Sequence, residues 1–248
     1  MQTTMPLAEP INQRPGWNYF DRVYCISLKD RADRRRQARR QFDAVGLNGR
    51  VTFVEVEKHP RNSEQGIYES HQRCIARGLA QGAGTILIFE DDVRFDGFTR
   101  QRLDQCIAFL ASTADWQAFF FGCLVRRSHR TQNPAVLAVT YRALTHAYAL
   151  SRPMATRIVT KPWQGAPYDA MLASFNRGFF AAYPAFAFQS DSASDNTRQL
   201  RLDRFRRRCG GLMRIQKANQ WICRYRRLLI AVHVLGMAVI AGLALYFR

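Results

Sequence analysis

The sequence predicts an α/β fold with a mostly parallel central sheet, followed by a carboxyl-terminal transmembrane helix. Two observations predict it. Strand-like and helix-like segments alternate along the first hundred residues, the pattern of a sheet whose strands are joined by crossover helices. A run of twenty residues, "LLIAVHVLGMAVIAGLALYF" (Leu228 to Phe247), then carries no formal charge and has His233 as its single strongly polar member.

The elements follow in order. "RVYCISL" (Arg22 to Leu28) mixes β-branched and aromatic residues and reads as a first strand. "KDRADRRRQARRQFDAVGL" reads as a helix, with Asp30 or Asp33 available as its cap and Gly46 near its end. "RVTFVEVE" (Arg50 to Glu57) alternates as a second strand does. "NSEQGIYESHQRCIARGLAQGAG" is helical, with Asn62 or Ser63 at its start and Ile67, Ile75 and Leu79 near one face. "TILIFEDDVRF" (Thr85 to Phe95) is the third strand running into three acids. Later strands are expected in "WQAFFFGCL" (Trp116 to Leu124) and "HAYALS" (His146 to Ser151).

The chain has 248 residues, 47% of them hydrophobic and 12% aromatic, which excludes a disordered protein and suits one sizeable core. Its formal charge of +18 points toward nucleic acid or an anionic membrane. The distribution decides between them. Arg198 to Arg227 holds eleven Lys or Arg against the single acid Asp203, and this segment abuts the uncharged run. At 1.5 Å per residue the run spans about 30 Å, the hydrocarbon thickness of a bilayer, and its basic flank keeps the preceding domain on the cytosolic side. The expected organisation is a tail over 1–18, a catalytic or binding domain over 19–197, a basic juxtamembrane segment over 198–227 on anionic headgroups, and the span over 228–247. A solvated basic helix is the alternative for the third of these.

The six cysteines form no C-x-x-C pair and no zinc spacing, which suits reduced thiols in a cytosolic domain. "MQTTMPLAEPINQRPGW" has no apolar core segment, so no export signal is expected.

Ligands of open α/β sheets bind beyond the carboxyl ends of the strands, where Glu90, Asp91 and Asp92 fall. Alternation points Glu90 and Asp92 one way and Asp91 the other. Two oxygen ligands at such spacing suit a hard divalent cation that keeps positions open for phosphate oxygens. A solvated acidic turn, with an Asp capping the next helix, is the alternative. Arg31, Arg34 and Arg35 follow the first strand at a helix start, where guanidinium and backbone N–H groups meet phosphate, or else they form a solvated basic face.

Five blocks, "VYCISLKDRADRR", "EQGIYESHQRCIARG", "ILIFEDDVRF", "THAYALSRPMA" and "PYDAML", occur in the order and approximate spacing of glycosyltransferase family 25. The resemblance covers about Val23 to Thr197. It implies a GT-A-type, Rossmann-like domain, a nucleotide-sugar donor that is usually a UDP-hexose, Mn2+ or Mg2+, and transfer with inversion. On that resemblance Glu90, Asp91 and Asp92 supply metal and ribose contacts, with Asp92 the first choice of ligand. Arg31, Arg34 and Arg35 face the diphosphate. Ser27 stands where the family has Asn, at the strand tip. His71 matches the family's S-H and bonds donor or carboxylate, or is a buried, satisfied histidine. Asp169 matches the P-x-D and is the base for the acceptor hydroxyl, or caps the following helix. "QSDSASDNT" falls where the family closes its domain, with Asn196 in place of an apolar residue, which leaves Ser194 and Asp195 as structural.

The expected partners are a nucleotide sugar, a lipopolysaccharide, polysaccharide or glycolipid acceptor, and an anionic membrane on its cytoplasmic face. The competing class is a non-enzymatic basic protein that binds membrane or nucleic acid on a transferase-like fold. No recognition motif with interleaved aromatics supports specific nucleic-acid binding.

Overall fold

The structure, a computed structural model, describes residues 15–190 and 211–246. A 3₁₀ turn, Gly16–Tyr19, leads into β1 (Arg22–Leu28), α1 (Ala32–Ala44), β2 (Val51–Val56), α2 (Ser63–Ala80), β3 (Thr85–Glu90), β4 (Val93–Phe95) and α3 (Arg100–Ser112). There follow β5 (Ala118–Phe120), β6 (Leu124–Arg130), β7 (Val136–Ala143), β8 (Ala147–Ser151), α4 (Arg152–Val159), α5 (Tyr168–Ala173), β9 (Phe179–Ala182), β10 (Ala187–Gln189) and the long helix α6 (Leu212–Tyr246).

Eight strands form one sheet in the order β2-β1-β3-β8-β5-β9-β7-β6, and β10 pairs with β4 in a separate two-stranded ribbon. β1 lies parallel to both β2 and β3, with Ile26 opposite Glu90, and β5 lies parallel to β9. β8 enters between β3 and β5 antiparallel to both, and β7 is antiparallel to β6 and β9. The crossover helices α1 and α2 make the first three strands parallel. The short links farther on allow the sheet to reverse.

Alternate residues of the central strands feed two cores. Val23, Cys25, Leu87 and Phe89 pack with Ala38 and Phe42 of α1 and with Leu103, Cys106 and Leu110 of α3. Tyr24, Ile86 and Ile88 pack on the other face with Cys74 and Ile75 of α2, Met154 and Ile158 of α4, and Leu172 of α5. This two-sided burial is why "TILIF" reads as a continuous apolar run rather than an alternating one. It also fixes the sides of the acids: Glu90 continues the α2 face, and Asp91 the α1 face.

Several local expectations need correction. α1 is capped by neither Asp30 nor Asp33; its cap position is Arg31, without a side-chain cap bond, and Asp33 lies in the first turn. Asn62 does cap α2, accepting from the Glu64 and Gln65 amides. Ile67 is 41% exposed, because the inward stripe of α2 is Tyr68, His71, Cys74, Ile75 and Gly78. The strand expected over Trp116–Leu124 is confined to β5, Ala118–Phe120; the chain turns at Gly122, and β6, Leu124–Arg130, lies beyond the expected strand but for its first residue. A Cβ at Gly122 would overlap the Ala187 carbonyl and the Gln216 amide, so only glycine lets β10 and α6 approach here.

Of the basic segment expected over 198–227, residues 198–210 lie outside the described residues. Its described part, from Leu212, begins α6 and docks on the domain. Gln216 donates to the Ala187 carbonyl, Gln220 bridges Ala182 and Ala185, Asn219 pairs with the Val125 backbone, and Lys217 reaches Asp96 at 2.6 Å. The same helix continues without a break through Tyr246, with the apolar side chains from Leu228 onward almost entirely exposed. It is the one helix among the described residues long and apolar enough to cross a membrane.

Candidate active site

The acids lie where β3 ends, and β1, β8 and the β4–β10 ribbon meet there. The Glu90 amide is held by the His146 carbonyl and the Asp91 amide by the Ile26 carbonyl, so both neighbouring strands fix the turn. Each acid then has its own surroundings.

Glu90 accepts from Thr145 Oγ1 at 2.8 Å and lies 3.6 Å from His71 Nε2. Burial works against its charge, but His71, Thr145 and the nearby His146 together hold its pKa below the usual value. His71, itself fully buried, shares its Nδ1 with Tyr148 Oη at 3.0 Å and stacks on Tyr168, ring centroids 4.2 Å apart. Tyr148 and Tyr168 are joined hydroxyl to hydroxyl at 2.9 Å. His71 is therefore a buried, partnered histidine that also reaches the acid. Its Nε2 has no partner within hydrogen-bond distance, so the side chain is buried and only half satisfied.

Asp91 turns to the other face. Its Oδ2 accepts from Ser27 Oγ at 2.6 Å, and its Oδ1 lies 3.4 Å from Arg34 Nη1. Burial raises its pKa despite these two partners. Ser27, which stands where the family has Asn, spends its hydroxyl proton on Asp91. It ties β1 to β3 rather than facing open space.

Asp92 is the least satisfied acid of the cluster. Its Oδ2 accepts from Gln189 Nε2 at 2.8 Å, and its backbone carbonyl accepts from the Ser190 amide. Its Oδ1 is buried and has no partner. Burial, then the charge of Glu90, push its pKa up to about 7. A buried carboxyl oxygen without a donor, beside a second carboxylate, is a position where a cation relieves two costs together.

The three arginines are brought to the first strand's end but are engaged with protein. Arg34 holds Asp91. Arg35 spans the Leu28 and Lys29 carbonyls, Ser27 Oγ and Glu55, stapling the end of β1. Arg31 pairs with Asp33 through Nε and Nη2, each at 3.1 Å. Asp169 lies in the first turn of α5, yet makes no side-chain cap there. Its Oδ1 accepts from Tyr141 Oη at 2.6 Å and its Oδ2 from the Leu144 amide at 3.1 Å. Leu144 has φ +80°, a strained conformation for a branched side chain, and Asp169 holds it one residue before Thr145, which bonds Glu90. Burial raises the pKa of Asp169.

Thr145, Tyr148 and Tyr168 were not singled out from the sequence, whereas Gln189 opens the stretch "QSDSASDNT" that was matched to the family's domain end. The first three stand inside the blocks "THAYALSRPMA" and "PYDAML", so the signal was present as position within a block. Ser194 and Asp195 lie outside the described residues. Among the described residues no group of three or more His, Cys, Asp or Glu is arranged to hold a metal.

No protein-family model matches the chain. Among curated proteins it is similar to "Inactive glycosyltransferase 25 family member 3" of Homo sapiens, 27% identical over 184 residues, 60% of this chain and 30% of that one. It is also similar to the "Glycosyltransferase 25 family member" of Drosophila melanogaster, 25% identical over 142 residues, 47% and 23% of the two chains. The chain spans less than a third of the length of these curated relatives. A solved glycosyltransferase "involved in the glycosylation of the major capsid of PBCV-1" superposes with TM-score 0.44 at 10% identity, covering 74% of this chain and 99% of that one. The names of these curated relatives place them in glycosyltransferase family 25, and the chain is similar to them over about half of its length.

Proposed function

We propose, from this kinship with glycosyltransferase family 25, that the chain is a membrane-anchored transferase moving a hexose from a nucleotide sugar, UDP-hexose by resemblance, to a glycan or glycolipid hydroxyl with inversion. The observation that carries the reading is Asp92. An unpartnered, buried carboxyl oxygen next to Glu90 at the carboxyl end of a central strand is poorly suited to a solvated turn and well suited to a charged ligand.

Glu90 and Asp92 would hold a divalent metal. Two carboxylates fall short of a full protein ligand set, in keeping with an ion completed by water and substrate phosphate. When bound, Mn2+ or Mg2+ supplies charge that stabilises a departing diphosphate. Asp91 has a different part: held by Ser27 and Arg34, it fixes the turn from which Asp92 projects.

The transfer forms a bond from the acceptor oxygen to the anomeric carbon, breaks the bond to the diphosphate, and releases the acceptor's proton. Asp169 is the candidate to receive that proton. Its two oxygens already accept from Tyr141 and Leu144, and a carboxylate has lone pairs beyond those two. Its raised pKa strengthens it as a base. The anchor, α6 from Leu228, would confine the enzyme to the surface that carries its acceptor, with the domain on the cytoplasmic side.

A second reading is a transferase fold that binds donor without turnover. It is favoured by the engagement of both Asp169 oxygens, and three of the curated relatives are called inactive or probably inactive. One experiment separates the readings: a panel of nucleotide sugars with Mn2+ or Mg2+, followed by calorimetric binding and by nucleotide release with and without lipid extract. Metal-dependent release supports transfer. Metal-dependent binding without release supports the second reading, and donor binding indifferent to a chelator refutes the metal site.

A further inference from the structure

The basic residues of the chain are not confined to the stretch before the apolar run. β6, the outer strand of the sheet, reads "LVRRSHR" and presents Arg126, Arg127, His129 and Arg130 to the exterior. Neither β6 nor α6 contains an acid. The strand is also the element against which α6 packs: Asn219 takes both the amide and the carbonyl of Val125, and Cys223 Sγ lies 3.8 Å from the Arg126 carbonyl. At the strand's far end Arg130 is within electrostatic reach of Tyr183 and Tyr225, and Arg224 lies over the Tyr183 ring at 3.8 Å.

The helix gives the depth of these contacts. Trp221 and Tyr225 pack together, ring centroids 5.4 Å apart, with Trp221 52% exposed, and Tyr246 stands at the other end of the apolar stretch. From Tyr225 to Tyr246 the helix rises about 30 Å, so the aromatics mark the two boundaries of a hydrocarbon layer. Cys223 and Tyr225, the residues level with β6, lie within about 8 Å of Leu228 along the axis, and a headgroup layer is about 5–8 Å thick. Arginine stems are long enough to cover what remains.

We infer that the outer edge of β6, through Arg126, Arg127 and Arg130, joins Arg224, Arg226 and Arg227 of α6 in one basic surface that lies in the anionic headgroup layer of the membrane spanned by α6. This makes the sheet itself, not only its tail, a membrane-contacting element. The inference rests on the anchor in the proposed function. Arginines on an exposed strand edge also discourage strand-to-strand aggregation, and that role alone requires no lipid.

The test uses the full chain in nanodiscs of neutral phosphatidylcholine or of phosphatidylcholine with phosphatidylserine, with amide hydrogen exchange followed over β6. Exchange in the wild type should slow about tenfold on going to the anionic disc, against little change in β2 at the opposite edge of the sheet. Arg126→Gln/Arg127→Gln/Arg130→Gln should remove the lipid dependence, and Lys at the same three positions should retain it. Equal β6 exchange of the wild type in both discs overturns the inference, as does slowing produced by added RNA rather than by phosphatidylserine. A chain that does not enter either disc overturns the anchor as well, so failure of the anchor and failure of the β6 contact give different results. Should the Gln variant not fold, the wild-type comparison and the Lys variant still decide.

Discussion

Asp92→Asn replaces the most perturbed carboxyl of the site with a neutral amide of nearly equal size. In the folded chain Asp92 has a pKa pushed up from 3.8 to about 7, by burial first and then by Glu90. A carboxyl raised in this way opposes folding wherever the unfolded chain ionises more readily than the folded one. The cost begins near the unfolded value, grows as pH rises to about 7, and is constant above that. A difference of about 3 pH units at about 1.36 kcal/mol each sets a ceiling on the order of 4 kcal/mol. In a chain of this size 1 kcal/mol moves the melting temperature by roughly 2–4 °C, so metal-free Asp92→Asn should melt several degrees above the parent at about pH 8. At about pH 4.5 the two should melt nearly together. The assay is calorimetric melting in detergent with a chelator, at both pH values. Adding Mn2+ at the higher pH should close the gap by stabilising the parent alone. The same gap at both pH values would refute the reasoning, because a charge that costs nothing to ionise is not buried against Glu90.

Gly122→Ala places a methyl on the Ala187 carbonyl and the Gln216 amide, and should lower stability by about 1–3 kcal/mol in denaturant unfolding; no loss would mean that β10 and α6 do not meet there. Ser27→Ala deprives buried Asp91 of its 2.6 Å donor and should cost about 1–3 kcal/mol by the same measurement, while leaving metal affinity little changed. Asp169→Asn should keep donor binding and lose transfer by orders of magnitude, whereas Tyr141→Phe should retain most of it. Near-normal transfer by Asp169→Asn would return that carboxylate to holding Leu144. Full-length protein should sediment with membranes through a high-salt wash, and release by salt would leave only electrostatic attachment.

The first half of the sheet was legible because β1, β2 and β3 are long enough to carry their own pattern. β4, β9 and β10 were not, since strands of three or four residues exist through their partners rather than through any local preference. Ile67 misled for a different reason: apolar character gives the stripe of α2 only to within one residue, and the polar His71 and small Gly78 belong to the buried face. Among the acids, position at a strand end and the opposition of Asp91 to Glu90 were legible, and the face each one takes was not. Which acid faced which helix depended on register against β1, and the unpaired Oδ1 of Asp92 depended on Gln189, ninety-seven residues away. A chain ended at Thr197, where the family resemblance stops and the basic run begins, would lack Gln216 and Gln220, which complete the hydrogen bonding of β9 and β10.

α6 has no hinge between the domain and its apolar length. Tethered enzymes usually sweep a volume set by a flexible linker, and their reach is a distribution. Here Gln216 is fixed beside β10, the strand that ends in the Asp92 partner Gln189, and eleven residues of the same helix lead from it to Arg227. Those residues rise about 16 Å. A rod of fixed length sets an altitude rather than a radius. For a chain standing in a bilayer at Leu228, substrates would be sorted by how far their reactive hydroxyl stands above the lipid, and lengthening or shortening the helix by one turn would shift that altitude by about 5 Å while leaving every residue of the site in place.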